Sequence, residues 1–368
     1  MFSRIQFVFL LFVLIVAAFL APFASYSPSL PEQIASASGS FVPLNGHVRQ
    51  LQQAVSDIGQ AYTEMEERTE QTGNVMSGTR EVLSQLIEVA RAEKVKAEEQ
   101  KQVVDQILAE SQRHAKETQD ALDMILSKML GDPIGQTYGK RATVKVFSLK
   151  EAGYRGYMAK VKLHDPTAVR LVLSGDKVGH TGETTSQAAK RTGAVLAVNG
   201  GGFARQDGLL YPIGITVVDG EIKTFYQTDL SFIGFDKHGR LVGGEVTTRE
   251  QIKKMNVMHG ASFVPTLLKD GKKLDIPRAW KNRKEPRTLI GHFSNGDLLF
   301  IVIDGRQKGY SEGVTLEEAQ EKLLEFKVRD AYNLDGGGSS TFYYNGKVLN
   351  SPSDGRERKI PSTFVVLP

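Results

Sequence analysis

Two acidic residues in the C-terminal half of the sequence stand where apolar segments give way to glycine. Asp304 follows the apolar segment Leu298–Ile303, and Asp335 comes directly before three glycines and two serines. A carboxylate at the end of a buried strand can serve as a nucleophile or as the base that activates water. Asp-Gly pairs also form ordinary turns, so each residue taken singly is better explained as a turn former.

Groups suited to binding phosphate accompany these carboxylates. Three successive glycines cost backbone entropy unless the chain adopts positive φ or a ligand approaches the amides. The amides and hydroxyls after Asp335 are therefore predicted to form an anion nest, whose members are Gly336, Gly337, Gly338, Ser339 and Ser340. Arg287 and Arg306 add positive charge, because a planar guanidinium can donate two hydrogen bonds to one phosphate.

A strand, a helix and a second strand are predicted to position the two carboxylates. The strand Leu298–Ile303, a helix that begins with a capping box at Thr315, and a strand at 330–334 indicate a parallel crossover. Both strands then point the same way. We therefore expect Asp304 and Asp335 to emerge at one edge of the sheet, where ligands commonly bind.

The remainder of the head, residues 143–368, has the pattern of a mixed sheet. A helix at 186–191 leads into a strand at 194–198, which ends at Asn199 before three more glycines, so Asn199 is expected to join the cluster and donate a hydrogen bond to the ligand. Turn pairs between short strands predict hairpins, and they are Asp219-Gly220, Asn295-Gly296 and Asn345-Gly346. The predicted fold class is α+β, a mixed-sheet head with hairpins and a βαβ crossover.

Five segments of the head carry a resemblance to a known family. In chain order they lie at residues 197–203, 211–214, 286–291, 302–306 and 333–340, the last reading Asn-Leu-Asp-Gly-Gly-Gly-Ser-Ser. Together they resemble the phosphodiester glycosidase family, over about residues 143–368. The resemblance implies an enzyme that cleaves the bond between a sugar's anomeric carbon and a phosphate, leaving a phosphomonoester.

Roles for the candidate residues follow from that chemistry. The oxocarbenium-like sugar needs a carboxylate as nucleophile or base, for which Asp335 is the first candidate and Asp304 the second. Carboxyl groups about 5 Å apart would indicate retention, and a separation of about 6.5–9.5 Å inversion. Arg287, Arg306 and the glycine loop would stabilise the departing phosphate. The alternative for Asp304 is that it caps its turn and braces Arg287.

No cofactor is predicted. Asp304, Asp335 and Asn199 offer oxygen ligands for calcium or magnesium, but no loop has the regular calcium-binding spacing. No pair of histidines has a spacing typical of zinc ligands, and cysteine is absent.

The N-terminal residues 1–26 are predicted to be a signal anchor that crosses a membrane. Residues 7–24 contain no charged or hydrogen-bonding side chain, and such a run is about long enough to span the bilayer core. Arg4 precedes the run and the next basic residue is Arg49, which predicts a cytoplasmic N-terminus and an extracytoplasmic head. The alternative is a cleaved signal peptide.

A helical stalk is predicted between anchor and head. After a linker at 27–47, apolar residues recur in one heptad frame over residues 48–130, which favours a coiled-coil stalk and a homo-oligomer. A helical hairpin broken near residues 73–78 is the alternative. Glycines and a proline at 131–142 then indicate a second linker.

Charge and composition limit the classes of partner that the head is expected to bind. Residues 131–368 carry 35 Lys and Arg against 26 Asp and Glu, so the head attracts anions. No motif interleaves basic and aromatic residues, so nucleic acid is not predicted. The expected substrate is a phosphate-linked glycan of a bacterial cell envelope, such as a capsule, exopolysaccharide or wall polymer. The alternative function is a non-catalytic, stalked adhesion or scaffold protein that binds anionic envelope polysaccharide.

Overall fold

A computed structural model describes residues 53–60 and 77–368. The chain divides into two units between Asp120 and Ala121. No helix of the described residues has the length and apolarity needed to cross a bilayer, and the predicted span at 7–24 lies outside them.

Residues 53–60 are helical, and the long helix α1 spans Ser77–Leu130. It ends at Gly131, whose φ of 77° is left-handed and whose N–H donates to the carbonyl of Ser127. Most of the glycine-containing stretch at 73–78, where a hairpin was the alternative, lies outside the described residues.

The head begins before the predicted boundary at 143. Leu122 and Leu126, in the last turns of α1, are buried in the core of the C-terminal unit. Asp123 forms ion pairs with Lys145 at 2.8 Å and with the buried Lys160 at 2.6 Å. Part of the stretch at 131–142, predicted as a linker, forms a strand, because its backbone pairs with the strand that follows.

The head contains twenty strands and three further helices. The helices are α2 (Thr185–Thr192), α3 (Arg249–Lys254) and α4 (Leu316–Glu325). The strands are β1 (Gly135–Tyr138), β2 (Ala142–Glu151), β3 (Tyr154–Leu163), β4 (Val169–Leu173), β5 (Leu196–Asn199), β6 (Phe203–Gln206), β7 (Leu209–Pro212), β8 (Ile215–Val218), β9 (Glu221–Phe225), β10 (Ser231–Asp236), β11 (Leu241–Gly244), β12 (Val257–Phe263), β13 (Thr266–Lys269), β14 (Lys272–Lys273), β15 (Arg287–Phe293), β16 (Leu298–Ile303), β17 (Val328–Asn333), β18 (Phe342–Tyr344), β19 (Lys347–Val348) and β20 (Ser362–Val366).

One large sheet, two five-stranded sheets and the two-stranded β6-β7 sheet build the head. The eight-stranded sheet has the order β1-β2-β3-β16-β15-β17-β13-β14, and the five-stranded sheets have the orders β11-β10-β12-β8-β9 and β19-β18-β5-β20-β4. One core cluster lies between the large sheet and the smaller ones, and a second contains residues of α1, α4 and the large sheet. Every residue of β16 is buried, as its continuous apolar sequence predicts.

The predicted crossover is present. Both β16 and β17 pair antiparallel with β15, so they run in the same direction with one strand between them. The connection contains α4, whose capping box is formed by Thr315 and Glu318 as predicted. The expectation that Asn199 ends a strand of the same sheet is wrong, because β5 pairs with β18 and β20.

The predicted hairpins are also present. Asp219-Gly220 joins β8 to β9, Asn295-Gly296 joins β15 to β16, and Asn345-Gly346 joins β18 to β19. Asn345 and Gly346 both have positive φ, as a type I′ turn requires. The head is therefore a mixed α+β structure with a large sheet at its centre.

Candidate active site

A pocket of about 260 Å³ lies where several loops meet beyond the ends of β15 and β17. It brings together four arginines, two carboxylates, two aromatic rings and the glycine loop. Its lining residues are Phe263, Trp280, Arg283, Glu285, Arg287, Arg306, Asp335, Gly336, Gly337, Gly338 and Arg358. Of the predicted candidates, Asp335, Arg287, Arg306 and the three glycines are thus brought together.

Asp335 is the carboxylate of this pocket whose pKa is raised. Burial raises its pKa to about 6, although hydrogen bonds from the Ser339 side chain and the Gly336 N–H and the charge of Arg358 act in the opposite direction. Its own N–H donates to the carbonyl of Gly200 at 3.3 Å. The group is therefore ionised at neutral pH but accepts a proton far more readily than an exposed aspartate.

Arg287 provides a buried positive charge in the same pocket. Its Nε donates to the Val314 carbonyl at 3.2 Å and its Nη2 to the Arg283 carbonyl at 2.6 Å. Burial lowers its pKa to about 10, which leaves it charged at neutral pH. Within the described residues it has no carboxylate partner in an ion pair, although the charges of Glu285 and Glu317 favour its charged form. A bound anion would add a direct countercharge.

The other pocket arginines are held by carboxylates. Arg306 donates through Nε to Glu285 at 2.5 Å, and Arg283 lies 3.8 Å from the same carboxylate. Arg358 donates through Nη2 to Asp354 at 2.7 Å. These pairs fix the guanidinium groups around the pocket before any ligand arrives.

The glycine loop leaves room for two of these arginine side chains and does not form an anion nest. Of its three glycines only Gly337 has positive φ, at 60°. A Cβ on Gly337 would come within 3.2 Å of the Arg306 guanidinium, and a Cβ on Gly338 would overlap Arg358. The predicted nest is not formed, because the backbone amides of Gly337, Ser339 and Ser340 donate hydrogen bonds to backbone carbonyls.

The two serines of the loop are buried. The Ser339 hydroxyl accepts a hydrogen bond from Arg358 Nη1 at 3.4 Å, and the Ser339 side chain acts to lower the pKa of Asp335. The Ser340 Oγ has no partner among the described atoms and does not line the pocket. Ser339 therefore supports the site, whereas the structure gives Ser340 no contact with a pocket ligand.

Asp304 lies outside the pocket lining, although it ends β16 at the predicted edge. Its Oδ1 accepts hydrogen bonds from Asn350 Nδ2 and the Ser351 N–H, both at 2.9 Å, and its Oδ2 accepts one from the Tyr310 hydroxyl at 3.2 Å. It is 1% exposed, and burial raises its pKa. It braces the loop after β19, and no contact joins it to Arg287.

Asn199 has a structural use in place of the predicted ligand contact. Its Nδ2 donates to the Asp335 carbonyl at 2.5 Å, and its Oδ1 accepts hydrogen bonds from the Thr288 hydroxyl and the Thr341 N–H. The residue is completely buried, so no group of its amide remains for a ligand. It attaches the end of β5 to β15 and to the glycine loop.

Five lining residues were not predicted from the sequence. Arg283 and Glu285 lie two to four residues before Arg287, in a visibly basic stretch that could have indicated them. Phe263, Trp280 and Arg358 come from segments whose proximity depends on the folded sheet. Among the described residues, no group of three or more His, Asp or Glu side chains is placed to hold a metal.

One pocket thus contains a partly buried carboxyl of raised pKa together with arginines and aromatic rings, which is an arrangement typical of a binding site for an anionic ligand. Residues 192–367 match the family model described as phosphodiester glycosidase. This range includes every residue that lines the pocket. The resemblance predicted from the motifs is therefore confirmed for this part of the chain.

Individual relatives agree with the family match. N-acetylglucosamine-1-phosphodiester alpha-N-acetylglucosaminidase of Bos taurus is 29% identical over 188 residues, which cover 46% of this chain and 35% of the relative. The SPbeta prophage-derived uncharacterized protein YomE of Bacillus subtilis (strain 168) is 31% identical over 193 residues, which cover 50% of this chain and 29% of YomE. The chain thus spans about a third of the length of these relatives.

A solved structure shows the same fold. The catalytic domain of zebrafish N-acetylglucosamine-1-phosphodiester alpha-N-acetylglucosaminidase, auto-inhibited by its pro-peptide, superposes with a TM-score of 0.52 at 23% identity. The match covers 63% of this chain and 85% of that domain.

Proposed function

We propose that the head hydrolyses the bond between the anomeric carbon of a sugar and a phosphate, leaving a phosphomonoester. The observation that carries this proposal is the placement of Asp335 and the unpaired Arg287 in one pocket. A site that only bound phosphate would gain nothing from a partly buried carboxylate beside it, because the two anions repel. A carboxylate is required, however, where a cationic sugar develops.

The arginines would act on the leaving group. A phosphomonoester departs more readily than a sugar alkoxide, so stabilising its charge matters more than protonating it. Arg287 and Arg306, which line the pocket, would do this from a preorganised setting, which would strengthen the interaction in the transition state.

Asp335 would act on the sugar, as nucleophile or as the base that activates water. Its pKa of about 6 keeps it ionised at neutral pH, which both roles require. The other carboxylate that lines the pocket is Glu285, which accepts a hydrogen bond from Arg306 Nε at 2.5 Å.

Two aromatic rings would receive the sugar. Phe263 and Trp280 line the pocket and contact each other edge to face, with ring centroids 5.7 Å apart. Sugar rings present apolar C–H faces, and an aromatic wall beside a cluster of polar groups is typical of a small-molecule site. This arrangement supports a sugar phosphate over a simple inorganic anion.

The proposal extends to a membrane-anchored, extracytoplasmic enzyme that acts on a phosphate-linked glycan of the cell envelope. The apolar run at residues 7–24 supports the anchor, and the basic balance of the head supports an anionic polymer. Leu86 and Ile107 occupy heptad positions of α1 and are 50% and 51% exposed, which supports self-association of the stalk.

The test uses the full chain in detergent, because Leu126 belongs to the core of the head. The protein is incubated with a panel of sugar-1-phosphodiesters that includes a UDP-sugar, and free sugar and phosphomonoester are quantified. We expect release by the parent and loss of release in Asp335→Asn and Arg287→Met. The matched controls are Asp229→Asn and Arg205→Met, because both residues are exposed and lie outside the pocket.

The opposite result is equally clear. A folded parent that releases no sugar from any diester, and whose binding to anionic polysaccharide is unchanged in Asp335→Asn, would refute the glycosidase. The stalked adhesion or scaffold protein would then be the better account.

A further inference from the structure

The loop between β19 and β20 reaches the pocket from outside the predicted motifs. Its first residues are held by Asp304, which accepts hydrogen bonds from the Asn350 side chain and the Ser351 N–H, both at 2.9 Å. Gln307 adds a hydrogen bond from its Nε2 to the Ser351 carbonyl at 2.7 Å. The start of the loop is thus fastened to the turn after β16.

The far end of the loop is fastened to a different element. The Glu357 carboxylate accepts hydrogen bonds from the Ser186 N–H, at 2.8 Å, and from the Ser186 hydroxyl, at the N-terminus of α2. The backbones of Ile360 and Glu183 exchange two hydrogen bonds. A loop held at both ends presents the side chains between its anchors in a defined direction.

Arg358 is the charged side chain that this loop delivers to the pocket. Its Nη2 donates to Asp354 at 2.7 Å, and its Nη1 donates to the Ser339 hydroxyl at 3.4 Å. Because the Ser339 oxygen accepts from Arg358, its hydroxyl proton is free to turn toward the Asp335 carboxyl, and the Ser339 side chain acts to lower the pKa of that carboxyl. Gly338 leaves the room that the Arg358 guanidinium occupies.

We propose that Arg358 is a positioning residue that acts through Ser339 to keep Asp335 ionised, and that Asp304 serves the site by holding the loop that carries it. This inference rests on the proposed function only for its kinetic consequence. The other charged residues around Asp335 are Arg283, Glu285, Arg287 and Arg306, which line the same pocket, and Asp354, which holds Arg358.

The balance between the charges gives the inference a sign. Burial alone favours protonation of Asp335, and of the pocket arginines Arg358 is the one whose charge opposes it. Removing that charge should therefore raise the pKa of Asp335. Removing the charge of Asp354 should lower it, because Asp354 competes with Asp335 for the same guanidinium.

The test measures the protonation of Asp335 without requiring turnover. The full chain is labelled with ¹³C at the aspartate carboxyl carbons, and the Asp335 resonance is assigned as the signal lost in Asp335→Asn. We expect its midpoint to rise by about one pH unit in Arg358→Met, to return toward the parent in Arg358→Lys, and to fall in Asp354→Asn. Near-UV circular dichroism confirms that each variant is folded.

Kinetics provide the second measurement. The acidic limb of kcat/KM against pH should move with the resonance, so Arg358→Met loses about tenfold at pH 5.5 and little at pH 8.5. An unmoved Asp335 midpoint would overturn the inference. So would a rise in KM at every pH with an unchanged midpoint, which would show that Arg358 binds the phosphate directly. Failure of the proposed function differs, because the parent would then hydrolyse no diester while the resonance still titrated.

Discussion

Substituting Asp304 separates chemistry from support of a loop, the two uses that its position allows. Asparagine keeps the Oδ1 that accepts from Asn350 and Ser351, and its amide can still meet the Tyr310 hydroxyl. Alanine removes the acceptor altogether. A residue that only holds the loop should tolerate asparagine, whereas a nucleophile or base should not.

The magnitude follows from the three hydrogen bonds that alanine would remove, of which those from Asn350 and Ser351 are the more buried. The Ser351 N–H has no other partner among the described hydrogen bonds, whereas Asn350 Nδ2 keeps a bond of 3.0 Å to the Ser340 carbonyl. Leaving a buried donor unsatisfied costs about 1–3 kcal/mol. We therefore expect Asp304→Ala to lower the free energy of unfolding by about 2–5 kcal/mol and Asp304→Asn by about 1 kcal/mol or less.

Two assays check this expectation on the same preparations. Urea unfolding reports the free energy, and kcat/KM for a sugar-1-phosphodiester reports the site. Asp304→Asn should retain kcat/KM within about threefold, and the acidic limb should move upward in Asp304→Ala as the loop that carries Arg358 loosens. A loss of about 10³-fold in kcat for a stably folded Asp304→Asn would refute the reasoning and make Asp304 a catalytic residue.

Four more outcomes test the site and the fold. Asp335→Asn should lower kcat by about 10³-fold or more without loss of thermal stability, because a neutral amide is less costly to bury than a carboxylate. In the parent, kcat/KM should fall as the pH drops below about 6, where Asp335 becomes protonated; a profile flat down to pH 5 would contradict this. Burial lowers the pKa of His259 to about 4, so the neutral form stabilises the fold above pH 6.5, and this contribution is lost as the pH falls from 6.5 to 4. Between pH 6.5 and 4, the free energy of unfolding measured in urea should fall by about 3 kcal/mol more in the parent than in His259→Gln. Equal decreases in the two proteins would contradict this expectation. Leu126→Ala should destabilise the head by about 2–5 kcal/mol, whereas the same change at the exposed Met124 should cost less than about 1 kcal/mol.

The elements that local sequence determines were predicted with some accuracy. The all-apolar β16, the capping box of α4 and the following β17 each have a signature within a few residues, and right-handed connection rules then fix their relative direction. These local signals predict that Asp335 lies just beyond the carboxyl end of β17, which is where the structure has it. They could not separate Asp335 from Asp304, because both end parallel strands before a glycine.

What distinguishes the two aspartates comes from distant segments. Asp304 is covered by Asn350 and Ser351, about 46 residues later, and Asp335 is left facing the pocket. The pairing of β5 with β18 and β20 likewise determines the surroundings of Asn199. Its side chain contacts the protein itself instead of a ligand. The predicted start of the head missed Leu126 because α1 continues without interruption to Leu130, so no local signal marks where its contacts with the head begin.

The two triple-glycine segments show how one sequence signal can have different causes. At Gly201 a Cβ would come within 2.6 Å of the Ser262 carbonyl, so glycine there allows two backbones to approach. At Gly337 the nearest atoms belong instead to the Arg306 guanidinium, at 3.2 Å. Three glycines thus indicate that something approaches the chain closely, and only the fold determines what it is. In the loop after Asp335 the approaching groups are arginines, which places positive charge beside the carboxylate that the proposed chemistry needs.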